Sequence, residues 1–167
     1  MLSPTYHLYR EQFIPRPLEE VFAFFSDAHN LEVITPAFVH FKILTPDPLT
    51  LTAGFVMDYR LRLFGVPLNW QSRIEAFESP RSFTDVQLRG PYRRWHHVHR
   101  FAAVAGGTQM LDEVDYALPL GPLGPVAHAL FVRSMLDQIF DYRRDRVAEM
   151  FSQSNGRMPL ASELGAR

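Results

Sequence analysis

The sequence predicts an α+β fold: a curved, seven-stranded antiparallel sheet around one long C-terminal helix, with two short helices after the first strand. Three observations lead there. Apolar and polar residues alternate in six stretches between residues 38 and 118, the period of a half-buried strand. Brief breaks rich in Gly and Pro separate the stretches, so consecutive strands should be antiparallel neighbours. Apolar residues recur at helical spacing after Pro17 and again after Pro125, positions where proline suits a first helical turn.

Tyr6 to Ile14 reads as the first strand, closed by Pro15-Arg16-Pro17. Leu18, Val21, Phe22 and Phe25 then mark a helix that ends at Ser26-Asp27, and Asn30 to Ile34 forms a second short helical piece. The strands that follow are Phe38 to Leu44, Phe55 to Phe64, Pro67 to Phe77, Ser82 to Arg89, Tyr92 to Val104 and Thr108 to Leu118. Their punctuation is Gly65-Val66, Ser79-Pro80, Gly90-Pro91 and Gly106-Gly107. The Pro- and Gly-rich run from Pro119 to Pro125 breaks the sheet. A final helix from Pro125 to about Ser152 spans roughly 40 Å at 1.5 Å per residue. Its apolar stripe is Val132, Leu136, Ile139, Phe140, Val147 and Phe151. The chain is expected to form one domain over residues 1–152, with 153–167 a flexible tail.

Composition narrows the function. Among 167 residues there is no cysteine, which excludes a disulfide scaffold, a thiol nucleophile and a zinc–thiolate site. A formal net charge of −1 argues against nucleic acid as partner. No apolar run is long enough to span a bilayer and no signal peptide is visible, so a cytoplasmic protein without an integral membrane segment is expected. Lys42 is the only lysine beside the arginines. The 14 Phe, 6 Tyr and 2 Trp suit either a dense core or the wall of an apolar pocket.

Strand alternation assigns faces. Arg94, His96 and Arg100 share one parity and should be wet, which turns Trp95, His97, His99 and Phe101 toward the helix. Likewise Tyr59, Leu61, Trp70, Ser72 and Ile74 go in, as do Met110, Asp112, Val114, Tyr116 and Leu118. The outward arginines interleave with Asp58, Glu75, Glu113 and Asp115 as a solvated mixed-charge face, with a protein-partner or homodimer surface as the alternative. Arg143-Arg144-Asp145-Arg146 is read as solvated too, and His7, His29, His40 and His128 as surface or rim residues.

The chain resembles the SRPBCC superfamily, the START-like helix-grip fold, and most of all its small bacterial ligand-binding and polyketide cyclase/dehydrase-type members. The likeness is carried by Pro17-x3-Val21-Phe22-x-Phe24-Phe25 and by Phe83-x-Asp85-x-Gln87 running into Gly90-Pro91-Tyr92-x2-Trp95-x-His97-x-His99-x-Phe101. Gly107-Thr108-x3-Asp112-x-Val114-x-Tyr116-x-Leu118-Pro119-x-Gly121 completes it. The resemblance implies a hollow between sheet and helix, and it turns Phe83, Asp85 and Gln87 inward where alternation alone would bury Thr84, Val86 and Leu88. It says little about activity, because this scaffold hosts carriers, cyclases and hydrolases alike.

Hairpin arithmetic then predicts three cross-sheet rows. The middle one is Tyr59–Ser72–Asp85–His97–Tyr116, flanked by Leu61–Trp70–Gln87–Trp95–Leu118 and Met57–Ile74–Phe83–His99–Val114. Inward polar groups need partners, so the middle row is a satisfied network, the recognition end for a mostly apolar ligand, or both. Trp70, Trp95, Phe101, Leu136 and Phe140 would be apolar wall, with Tyr59, Ser72, Gln87, His99 and Asp112 as further ligand contacts. In a catalytic version Asp85 orients His97 as a general base, and Tyr116 or Tyr59 donates to an enolate oxygen in a cyclisation or dehydration. His97-x-His99 also has metal-ligand spacing, with Asp112 or Asp85 as third ligand. Such strand pairs are common without metal, so neither a metal nor another cofactor is expected. The expected partner is a small hydrophobic molecule. A protein-interaction module with a filled core is the remaining reading.

Overall fold

The computed structural model describes residues 4–119 and 121–153. Strand β1 (Thr5–Ile14) stops before Pro15 and Pro17, and α1 (Leu18–Ser26) buries Val21, Phe22, Phe24 and Phe25 on one face. A short α2 (Asn30–Val33) is tied to its predecessor by the buried Asn30 amide, which donates to Phe24 O at 2.8 Å. Then come β2 (Lys42–Ile43), β3 (Val56–Leu63), β4 (Val66–Glu78), β5 (Ser82–Arg89), β6 (Arg94–Val104) and β7 (Gly107–Ala117). They form one antiparallel sheet in the order β1-β7-β6-β5-β4-β3-β2, so the first strand closes beside the last. The C-terminal helix opens as α3 (Gly124–Ala127), passes through a π-turn over His128–Val132 and continues as α4 (Arg133–Gln153). The architecture is the expected helix-grip, and among the described residues no helix is long and apolar enough to cross a membrane.

Two expected elements need correction, each for a local cause. The strand expected over Phe38 to Leu44 pairs only at Lys42–Ile43, because a 3-10 turn at Ala37–Val39 and a left-handed His40 (φ 45°) occupy its first half. The final helix is not uniformly α: the π-turn inserts an extra residue into one turn just where it crosses Tyr116. The tail expected at 153–167 lies, from residue 154, outside the described residues.

A further correction concerns register. The β3–β4 turn is Phe64-Gly65, both left-handed (φ 52° and 78°), one residue earlier than expected, so Leu63 pairs with Val66. The β6–β7 turn is likewise Ala105-Gly106, with Val104 opposite Gly107. Gly106 supplies φ 83°, whereas Gly107 is needed for a different reason: a Cβ there would meet Ile14 O at 2.2 Å. Moving a two-residue turn by one residue moves every partner by two, which preserves the faces and changes the neighbours. Hence Tyr116 faces Trp95, His97 faces Val114, and Tyr59 faces Trp70.

Between β4 and β5 the connection is Ser79 to Arg81, and a bulge at Glu75 lets Ile74 pair with Asp85 while Ala76 pairs with Thr84. The bulge resolves a conflict in the sequence. Ile74 and Phe77 are three apart and could not share a face of a regular strand, yet both pack inward, with Glu75 and Ala76 exposed between them. Asp85 thereby faces His97 on the inner side, as expected, but with Ile74 and not Ser72 as its other neighbour.

Three apolar clusters fill the space beneath the sheet. One joins α1 to the end of α4 through Phe22, Phe24, Phe101, Val147 and Phe151. A second links β1, β7 and α4 through Leu8, Val114, Leu136 and Phe140, and a third gathers Ala28, Leu51, Met57, Tyr59 and Ile74. They meet around a hollow.

Candidate functional site

The hollow is a cavity of about 160 Å³, bounded by members of all three clusters. An apolar cavity on the order of 150 Å³ accommodates a benzene-sized molecule. Nine of the residues expected at a site border it: Tyr59, Trp70, Ser72, Asp85, Trp95, His97, His99, Leu136 and Phe140. The two indoles stand edge to face with centroids 5.3 Å apart, and Trp70 Nε1 donates to Ser72 Oγ at 3.0 Å. The ionisable side chains on its wall include Asp85, His97, His99 and Arg143, beside the hydroxyls of Thr35, Tyr59 and Ser72.

Asp85, His97 and His99 belong to a buried quartet completed by Asp112. His97 and His99 are two residues apart on β6 and share the inner face, so their rings stand 3.8 Å apart. Asp112 Oδ1 lies behind both, 3.1 Å from His97 Nε2 and 2.7 Å from His99 Nδ1. The second contact is close but off the N–H direction, so it is electrostatic rather than an aligned hydrogen bond. In front, Asp85 Oδ2 lies 3.4 Å from His97 Nδ1 and 3.4 Å from His99 Nε2. Each imidazole thus turns one nitrogen to each carboxylate.

Burial and mutual charge set the protonation states. Burial opposes the charge on Asp112, but His99 and His97 outweigh it and hold that carboxyl far below the usual range. Asp85 is also lowered: burial resists, while the His99 contact, both imidazoles and the Arg143 guanidinium prevail. His99 is raised, because Asp112 and Asp85 together overcome its burial. His97 is lowered by burial and by the neighbouring His99, against the two carboxylates. The shifts thus favour the charged form of His99 and the neutral form of His97 between two ionised carboxylates. Tyr59 is pushed up, first by burial and then by the Asp85 charge, which keeps its hydroxyl a donor beside the cavity.

Four expected residues are elsewhere. Tyr116 is displaced from the row by the register change. Its hydroxyl meets His128 Nε2 at 2.8 Å, and the His128 ring stacks on Tyr6 at 3.5 Å. Gln87 serves the β5–β6 loop: its Nε2 donates to Tyr92 O at 2.7 Å and its Oε1 accepts from Tyr92 N at 3.2 Å. Phe101 packs edge to face on Phe22 in the first cluster and does not reach the cavity. Asp112 sits behind the histidines, on a second hollow of about 60 Å³.

Sequence reasoning missed Arg143. Expected to be solvated, it borders both hollows, with its guanidinium 5.0 Å over the Phe140 ring and its buried Nε without an acceptor. The signal was there: Arg143 lies three residues after Phe140 and four before Val147, within the apolar stripe. His128, expected at the rim, is part-buried against Tyr116 and Tyr6.

Residues 14–140 match the model of the family described as polyketide cyclase / dehydrase and lipid transport, and the chain belongs to that family. With its architecture, this places it in the SRPBCC, START-like superfamily. Among solved structures it is similar to TTHA0849 from Thermus thermophilus, at 14% identity and TM-score 0.69, covering 90% of this chain and 100% of that one. It is also similar to the Zhui aromatase/cyclase from Streptomyces sp. R1128, at 16% identity and TM-score 0.69 over 90% of this chain and 96% of that one. A nucleoside-diphosphate sugar epimerase from Corynebacterium glutamicum matches at 26% identity and TM-score 0.63, over 87% of this chain but 29% of that longer one. No curated protein sequence gives a significant match.

Proposed function

We propose that the protein binds a small, mostly apolar molecule between the sheet and the C-terminal helix, with one oxygenated end directed at Asp85, His97 and His99. The observation that carries this reading is the cavity itself: apolar and aromatic over most of its lining, with Asp85, His97 and His99 grouped on its wall. Its volume favours a guest of one ring or a comparable length of chain inside, with any larger part emerging toward solvent. The family description and the aromatase/cyclase likeness support an aromatic, polyketide-like or lipid-like guest. Native and denaturing mass spectra of freshly purified protein test the reading. A mass carried in the native spectrum and lost on denaturation is expected. A bare native mass, together with no heat on titration with p-cresol or a medium-chain fatty acid, would overturn it.

A second reading, cyclisation or dehydration of the bound molecule, is favoured by Asp85, His97 and the Tyr59 hydroxyl bordering the same cavity. With Tyr116 turned to His128, Tyr59 is the remaining candidate to donate to an enolate oxygen. This reading requires turnover of a polyketone-like substrate that His97→Gln abolishes without loss of folding.

A further inference from the structure

The quartet has an asymmetry that a purely structural network does not need. Asp112 Oδ1 is hydrogen-bonded to His97 Nε2 at 3.1 Å and lies 2.7 Å from His99 Nδ1 without aligned geometry. A proton on His97 Nε2 leaves the lone pair of His97 Nδ1 facing Asp85 Oδ2, and His99 Nε2 meets the same oxygen through a long hydrogen bond of 3.4 Å. When an ion displaces that one proton, three electron-rich atoms converge. Both distances to Asp85 are 3.4 Å, too long for the charge-assisted bonds of about 2.7–2.9 Å that a carboxylate makes with imidazolium. A tetrahedral ion bonded at about 2.0–2.1 Å keeps its ligand atoms roughly 3.3–3.4 Å apart, which is the separation of each imidazole nitrogen from Asp85 Oδ2. All three donor atoms lie within 4.8 Å of one another.

We infer that Asp85, His97 and His99 form a binding site for one divalent transition-metal ion, with Asp112 behind both imidazoles and hydrogen-bonded to His97. Two imidazole nitrogens and one carboxylate oxygen suit Zn²⁺, Fe²⁺ or Co²⁺, whereas Mg²⁺ and Ca²⁺ prefer oxygen-only sets. For His97, Asp112 fills the place of the partner that fixes tautomer and ring orientation in histidine metal sites. His97 and His99 are 5% exposed and hence rigidly packed, while the Asp85 side chain keeps 18% exposure. All three border the cavity, so the remaining coordination positions open toward it, where an oxygen of a guest could take one. A titration with metal alone contains no organic ligand, so its failure leaves the binding proposal intact.

The test uses untagged protein, stripped with a chelator and titrated with Co²⁺. One equivalent is expected to bind with micromolar affinity or better, giving the intense visible bands of a four- or five-coordinate ion. Paramagnetic broadening of the His97 and His99 imidazole resonances in the wild-type protein identifies the ligands without any substitution. Asp85→Asn, which keeps the shape of the side chain, is expected to weaken binding at least tenfold. His29→Ala, which removes the exposed imidazole between Asp27 and Asp47, is expected to leave it unchanged. No visible bands at millimolar Co²⁺ would overturn the inference. So would uptake that survives Asp85→Asn and disappears in His29→Ala, since the ion would then be on the surface.

Discussion

Ala28 is 1% exposed, sits between α1 and α2, and its side chain borders the cavity. Ala28→Phe adds one phenyl group at that wall. The hollow measures about 160 Å³, and a cavity on the order of 150 Å³ takes one benzene-sized molecule, so the added ring consumes the space a ring-shaped guest would use. A bound ring such as that of p-cresol removes about 150–250 Å² of apolar surface from water. At ~25 cal/mol per Å² that is about 4–6 kcal/mol. The corresponding dissociation constant runs from roughly 1 mM to roughly 40 μM. Stability should change far less than occupancy, because filling empty volume offsets strain; a shift within about 1–3 kcal/mol in either direction is expected. Calorimetric titration with p-cresol, beside a denaturant melt of each protein, separates the two effects. A folded Ala28→Phe variant that binds p-cresol within twofold of wild type would refute the reasoning, because the guest would then occupy some other place.

Other substitutions probe other levels of the structure. Gly107→Ala drives a Cβ to 2.2 Å from Ile14 O, a backbone atom held in the sheet, and should cost about 3 kcal/mol or more in a denaturant melt. Gln87→Leu removes both hydrogen bonds that close the β5–β6 loop and should cost about 1–3 kcal/mol, read the same way. His128 is lowered from its ordinary 6.5 by burial and by the Arg133 charge, with Asp137 opposing and with Tyr116 and Tyr6 against its ring. The unfolded chain therefore binds more protons as pH falls through 6.5, and stability should drop there and level off below the folded value. In melts against pH, His128→Gln should be less sensitive than wild type over that window; parallel curves would contradict the assignment.

Periodicity carried most of the fold. Alternation placed Tyr59, Ser72, His97, His99 and Asp112 on the inner face, and the proline at residue 17 marked the start of α1. Turns were harder to place. Gly65-Val66 and Phe64-Gly65 are equally plausible from composition, and the choice between them moves partners by two residues without altering any face. That is why Tyr116 could be buried as expected and still stand opposite Trp95, away from His97. The bulge at Glu75 was hidden for a similar reason: only the demand that Ile74 and Phe77 both be inward reveals it, and that demand is tertiary. Lys42–Ile43 was overextended because apolar content near Phe38 looks the same whether a segment pairs or turns. For Arg143, side-chain charge was weighed above its position on the helix stripe, although a long arginine stem can lie along apolar surface.

Both tryptophans of the chain, Trp70 and Trp95, border the cavity, and neither lies anywhere else on the molecule. The protein is for that reason its own optical gauge. Indole emission responds to the polarity of its surroundings, and here both emitters face the same small volume, close enough at 5.3 Å to behave as one reporter. A guest entering that volume would alter the medium of both at once. Filling and emptying of the hollow can thus be followed in the unlabelled protein, in real time and at low concentration.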